Sequence, residues 1–139
     1  MNPKASIIIP AFNCGKFLQE TINSIDEKIS HEIIVIDDGS TDKETIEMFD
    51  RLRSSGKIIL LRQTNQGSGS ARNSGAKRAR GEYLLFLDSD DLVQKDFCTT
   101  MAQALDQDKN ISFCYPNEVL FGSGKGFWDV PEFDLRLVL

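Results

Sequence analysis

Short runs of aliphatic and β-branched residues, each ending in polar side chains and followed by a helical stretch, constrain this chain most. Ser6 to Pro10, Glu32 to Ile36, Lys57 to Arg62 and Glu82 to Leu87 read as strands. The stretches between them carry helical periodicity, giving the βαβ rhythm of an α/β fold: a mainly parallel sheet flanked by helices. The first helix follows Asn13-Cys14-Gly15 and sets Phe17, Leu18, Ile22, Ile25 and Ile29 on one face. Thr41 and Glu44 have the spacing of a capping box before a helix whose apolar face holds Ile46, Phe49 and Leu52. Gly56 suits the position after that helix, and a basic helix from Ala71 to Arg80 stops at Gly81. Phe97, Met101 and Leu105 mark a further helix, and Ile111 to Tyr115 a fifth strand. Beyond Pro116 the pattern thins: Glu118 to Phe121 suits a strand, Gly122 to Gly126 a turn, and Pro131 to Leu139 a short helix. With no repeat, low-complexity tract or linker, residues 1–139 read as a single domain.

The 139 residues carry a net charge of −5, a field that opposes DNA, RNA and anionic membrane surfaces. No apolar run approaches the length of a membrane span, and Lys4 is not followed by the apolar core of a signal peptide. Cys14, Cys98 and Cys114 are odd in number and lack metal-ligand spacing, which fits reduced thiols in the cytoplasm. His31, the only histidine, reads as structural.

Ligands of an open parallel sheet bind beyond the carboxyl ends of its strands. Four polar clusters fall there: Asn13, Asp37-Asp38, the loop through Arg72, and Asp88 to Asp91. Asp37-Asp38-Gly39-Ser40 suits either a turn with capping side chains or a carboxylate that receives a ribose hydroxyl or base N–H. Asp88-Ser89-Asp90-Asp91 crowds three carboxylates after an apolar strand. A divalent cation relieves that repulsion, and oxygen ligands suit Mg²⁺ or Mn²⁺; an acidic helix start is the other reading. Asn65 to Asn73 is a small-residue loop whose N–H groups can approach an anion, with Arg72 able to pair with phosphate. Lys77, Arg78 and Arg80 read as a solvated face. Asn13 suits a helix cap or a ligand contact, and Phe127 and Trp128 read as core before pocket.

A nicotinamide-dependent oxidoreductase needs G-x-G-x-x-G after the first strand, where only Gly15 stands. A phosphoacceptor receiver domain needs its acids after the first and third strands; here they follow the second and fourth. A non-catalytic nucleotide-sugar-binding module remains the alternative to an enzyme, because binding and turnover use the same donor-side residues.

The ordered set Ser6-Ile7-Ile8-Ile9-Pro10-Ala11-Phe12-Asn13, Ile34 to Asp42, Asn65-Gln66-Gly67 with Ala71 to Gly75, and Phe86 to Asp91 resembles the family 2 glycosyltransferases of the GT-A fold. The likeness is dense from Ser6 to Val93. It implies a Rossmann-like nucleotide-sugar-binding domain and a nucleoside-diphosphate sugar donor, most often UDP-linked. Pro10, Phe12 and Asn13 would shape the base pocket, with Asp38 on the base or ribose, Arg72 near the nucleotide and Asp88 toward the ribose or sugar. Asp88 and Asp90 match the family's D-x-D motif; Asp90, with Asp91 as second candidate, would hold Mg²⁺ or Mn²⁺ against the diphosphate. Phe12 stands where the family usually has tyrosine, keeping a ring face without the hydroxyl. The resemblance further implies inverting displacement at the anomeric carbon by a glycan or lipid-linked acceptor. The family's general base lies in a later segment, and Asp129, Glu132 and Asp134 come too early to match it. The chain is therefore expected to be a truncated donor half, cytoplasmic or peripheral to the inner membrane face. It should transfer sugar poorly and self-associate through an apolar edge from Val130 to Leu139.

Overall fold

A computed structural model describes residues 2–130. The chain divides into two compact units, Met1–Gln103 and Ala104–Leu139. In the first, β1 (Ala5–Ala11), β2 (His31–Asp37), β3 (Ile59–Arg62) and β4 (Tyr83–Phe86) form a parallel sheet in the order β3-β2-β1-β4. The connecting helices are α1 (Phe17–Ser24), α2 (Lys43–Ser54) and α3 (Ser68–Arg78), and α4 (Phe97–Gln107) follows β4.

β1 is central because it is apolar on both faces, and all seven of its residues are buried. Alternation sends Ile7 and Ile9 to one face, where Leu18 and Ile22 of α1, Phe49 and Leu52 of α2 and Cys98 of α4 complete the larger core. Ile8 turns the other way and joins Ile34, Ile36 and Ala71 of α3. That second core is thin because α3 offers only small residues to it. At Gly75 an added Cβ would lie 2.5 Å from Ile8 Cγ2 and 2.7 Å from Ile36 Cδ1, so the helix backbone rests directly on the sheet. The register sets Ala11 beside Asp37 and Ile8 beside both Ile34 and Phe86, which aligns the carboxyl ends of β1, β2 and β4.

Several sequence expectations are corrected. α1 stops at Ser24, and Ile25 turns extended, so Ile25 and Ile29 pack on the core from a loop rather than from a helix face. α2 is capped by Asp42, whose side chain accepts from Thr45 N at 2.8 Å; Thr41 lies one position before the cap, and the N–H groups of both are taken by Asn13 Oδ1. α3 begins three residues before Ala71 and ends at Arg78. Arg80 lies beyond it and, though its side chain is exposed, is tied down: its backbone N–H and guanidinium both reach Glu32, at 2.7 and 3.1 Å. That carboxylate is nearly buried, and its pKa is lowered: burial alone would raise it, but bonds from Ser6 and Arg80 outweigh that cost.

Ile111 to Tyr115 forms no strand. Pro116 offers no N–H, and the first ladder of this unit follows it, where β5 (Glu118–Leu120) pairs antiparallel with β6 (Gly126–Trp128). The turn between them uses Gly122 at φ 81°. Phe127 and Trp128 are exposed rather than core, because a two-stranded ribbon has no interior of its own. Pro131, Glu132, Asp134 and the expected terminal helix lie outside the described residues, as does all of the expected apolar edge except Val130. All three cysteines are free. His31 bonds Ile29 O at 3.1 Å through Nδ1, a structural use. Among the described residues no helix is long and apolar enough to cross a membrane.

Candidate functional site

The strand order reverses between β1 and β4: the chain builds outward from β1 to β3, then returns to β1's other side. Strand-to-helix connections diverge there and leave a crevice at the carboxyl edge. A cleft of about 220 Å³ occupies this position, lined by Pro10, Ala11, Phe12, Asp38, Ser68, Arg72, Asp88, Ser89 and Asp90. Six of the eight residues singled out from sequence as nucleotide or metal contacts therefore share its wall: Pro10, Phe12, Asp38, Arg72, Asp88 and Asp90. Asn13 and Asp91 do not line it.

Asp38 is buried at the end of β2. Its Oδ1 accepts from Gln63 Nε2 at 2.8 Å and Gln66 N at 2.9 Å, and Oδ2 accepts from Gly67 N at 2.8 Å. Burial pushes the carboxyl pKa up, but the bonds from Gln66, Gln63 and Gly67 prevail and hold it below its ordinary value. Asp38 is thus a fixed negative charge that ties the Gln63–Gly67 loop to the sheet while keeping one flank on the cleft. Its neighbour Asp37 points elsewhere, accepting Ser40 N at 2.8 Å and facing Arg62.

Ser68 opens α3 after Gly67, which takes φ 85° and caps the helix without a side chain. Ser68, the first residue of α3, lines the cleft, and the first N–H groups of the helix have no side-chain acceptor from their own N-cap. One turn on, Arg72 reaches Ser68 Oγ at 3.4 Å and pairs through Nη2 with Asp88 Oδ1. Asp88 to Asp91 is a turn closed by Asp91 N to Asp88 O at 3.2 Å. The next helix starts only at Phe97, so an acidic helix start does not explain these carboxylates.

The opposite rim is Phe12, 49 % exposed, with its ring on the cleft wall. Asn13 stands behind it in a left-handed conformation, φ 48°. Asn13 Oδ1 accepts from Thr41 N at 2.8 Å and Asp42 N at 3.2 Å, which uses that oxygen to join the loops after β1 and β2. It caps α2's approach rather than α1, whose N-cap Lys16 makes no side-chain bond.

Asp88 and Asp90 set two carboxylates on one wall. Among the described residues no group of three or more His, Cys, Asp or Glu side chains converges. Two hard oxygen donors nonetheless fit Mg²⁺ or Mn²⁺ when phosphate oxygens and water complete the shell. Sequence reasoning missed Ser68, Ser89 and the two glutamines around Asp38. Gly67-Ser68-Gly69 held the signal for Ser68; nothing local marks Gln63 as the partner of a residue 25 positions earlier.

The sequence model described as Glycosyl transferase family 2 matches residues 6–135. An uncharacterised glycosyltransferase of Haemophilus influenzae is 35% identical over 141 residues, covering 98% of this chain and 52% of its own length. The poly(ribitol-phosphate) beta-N-acetylglucosaminyltransferase TarS of Staphylococcus aureus is 34% identical over 110 residues, 75% of this chain and 19% of that one. A crystal structure of TarS 1-349 in complex with UDP superposes with a TM-score of 0.72 at 29% identity, covering 93% of this chain and 38% of the other. GalNAc-T7 with UDP, GalNAc and Mn²⁺ gives 0.65 at 26% identity over 77% of this chain and 22% of the other. The chain spans about a third to a half of the length of the first curated relatives it matches. With the family sequence model matching nearly its whole length and a parallel α/β sheet shared with GT-A enzymes, the chain belongs to glycosyl transferase family 2.

Proposed function

We propose that this chain supplies the donor-binding part, built in the first of its two compact units, of an enzyme that moves a sugar from a UDP-linked donor to an acceptor hydroxyl with inversion. The observation that carries this reading is the convergence of Phe12, Asp38, Arg72, Asp88 and Asp90 on one cleft at the reversal of strand order. The UDP in the TarS complex and the UDP and Mn²⁺ in the GalNAc-T7 complex support it.

Phe12 stacks on the base, and Asp38, ionised at neutral pH, receives a base or ribose N–H or O–H. Arg72 and the first N–H groups of α3 face the diphosphate. Asp90 would hold Mg²⁺ or Mn²⁺. Asp88, expected from sequence to face the ribose or sugar, lines the same wall and would share the cation, which when bound would supply Lewis-acid stabilisation of the departing diphosphate. Asp91, off the cleft wall, is the weaker of the candidates for that role. The acceptor, a glycan or lipid-linked hydroxyl, attacks the anomeric carbon; the carboxylate that takes its proton is assigned to no residue of this chain. A cytoplasmic location, supported by three free thiols, completes the reading.

Calorimetry of the 139-residue chain with UDP, GDP and dTDP, with and without Mn²⁺, tests it. UDP should bind, more tightly with metal, and Asp90→Ala should remove the metal-dependent part, a loss of at least about tenfold or ~1.4 kcal/mol. No heat from Mn²⁺ and UDP together would sink the proposal.

A further inference from the structure

We infer that Thr21 and Ser24, on a helix that lines no part of the cleft, are positioning residues for its acidic wall. The inference rests on the metal-assisted reading above and concerns how the chain holds Asp88 and Asp90 in place.

Thr21 is fully buried on α1 among Leu18 and Ile22, a polar residue on an apolar face. A helical threonine ordinarily satisfies its hydroxyl on a carbonyl of its own preceding turn. Thr21 instead donates from Oγ1 to Ser89 O at 2.9 Å, 68 positions along the chain. Ser89 is the residue between the two carboxylates. One turn further on α1, Ser24 donates to Thr21 O at 2.7 Å, and its oxygen accepts from Val93 N at 3.1 Å. The two side chains therefore grip the 89–93 backbone at both ends through one connected set of hydrogen bonds.

That grip matters because it ties the loop's backbone to a helix, beyond the turn bond from Asp91 N to Asp88 O and the side-chain pair of Asp88 with Arg72. The loop belongs to no helix or strand, and Asp88 and Asp90 are both exposed. A cation held by two carboxylates needs them at a fixed separation, and a solvated turn supplies that only if its backbone is anchored. The remaining walls are built on other supports: Phe12 follows β1, Asp38 is held by the Gln63–Gly67 loop, and Arg72 rides on α3. Losing the α1 anchor should therefore weaken the metal-dependent part of binding and leave the metal-free part alone. General destabilisation would lower both.

The test compares the unmodified chain with Thr21→Val, Thr21→Ser and Ser24→Ala, titrated with UDP alone and with UDP plus Mn²⁺, alongside thermal melts. Thr21→Val keeps the shape and removes the donor. It should weaken UDP–Mn²⁺ binding about fivefold, the effect of one lost hydrogen bond, with binding of UDP alone unchanged. Thr21→Ser restores the hydroxyl and should restore most of that affinity. Ser24→Ala should speed amide exchange at Val93 and weaken UDP–Mn²⁺ binding in the same selective way, and this arm decides the matter if Thr21→Val does not fold. Equal losses with and without metal, a serine variant as weak as the valine one, or undiminished metal-dependent binding in Ser24→Ala overturns the inference. If the unmodified chain shows no metal-dependent binding, the reading beneath it falls as well, so the two failures are told apart by that control.

Discussion

Arg72 and Asp88 neutralise each other across the mouth of the cleft, and both keep a third to a half of their side-chain surface in water. An ion pair so placed is worth only about 0–1 kcal/mol, so an arriving cation can take Asp88 from it. On the proposed reading Arg72 then turns to the diphosphate. Arg72→Ala should consequently have opposite effects on two ligands: tighter binding of Mn²⁺ alone, by up to about fivefold, and weaker binding of UDP in the presence of Mn²⁺. Manganese titration followed by paramagnetic resonance and calorimetry would read both, and changes in the same direction would count against this exchange. The residue types at the site were legible because aspartates, an arginine and an aromatic at strand ends have few other uses in such numbers. Their partners were not. That Asp88 meets Arg72, or that Asp38 gathers Gln63, Gln66 and Gly67, depends on three-dimensional proximity between segments that carry no mark of each other.

The turn after β2 shows how one element depends on a missing side chain. Gly39 adopts φ 80°, and a Cβ there would lie 2.8 Å from the backbone nitrogen of Asn65. Gly39→Ala should lower stability by more than about 1 kcal/mol, since it adds backbone strain to a steric clash. The same change should push the Gln63–Gly67 loop away from Asp38, so a urea titration and UDP calorimetry should register it together; an unchanged midpoint would refute the assignment. Elements with strong periodicity were readable from sequence to within a residue or two: β1, β2, β4 and α4 lie where aliphatic runs and i, i+4 spacing put them. Elements fixed by competing local bonds were not. Thr41 and Glu44 had the right spacing for a capping box, yet Asp42 holds the cap because its carboxylate accepts the Thr45 N–H, a shift of one position that spacing alone does not reveal. Ile111 to Tyr115 alternates like a strand, but Pro116 and the Gly122 turn move the ladder to the residues that follow.

At the scale of the whole molecule, Glu32 and Asp38 each keep a depressed carboxyl pKa, one at the amino end of β2 and one just past its carboxyl end. In the unfolded chain both return to ordinary values near 4, so on acidification the unfolded state takes up protons first. Their contribution to stability is complete above that range and is lost as pH falls through the lower native values. Urea unfolding between pH 7 and pH 3 should show stability declining below about pH 4.5, and Asp38→Asn should flatten that decline. A variant slope equal to that of the unmodified chain would contradict it.

The seating of α3 carries a last consequence. With nothing at Gly75 to act as a cushion, Ile8 and Ile36 engage the helix backbone like cogs, and travel along the sheet would have to lift it over their branched tips. Whatever adjustment a bound diphosphate asks of this side of the cleft must then come from the rotamers of Arg72, while the axis that carries it stays put.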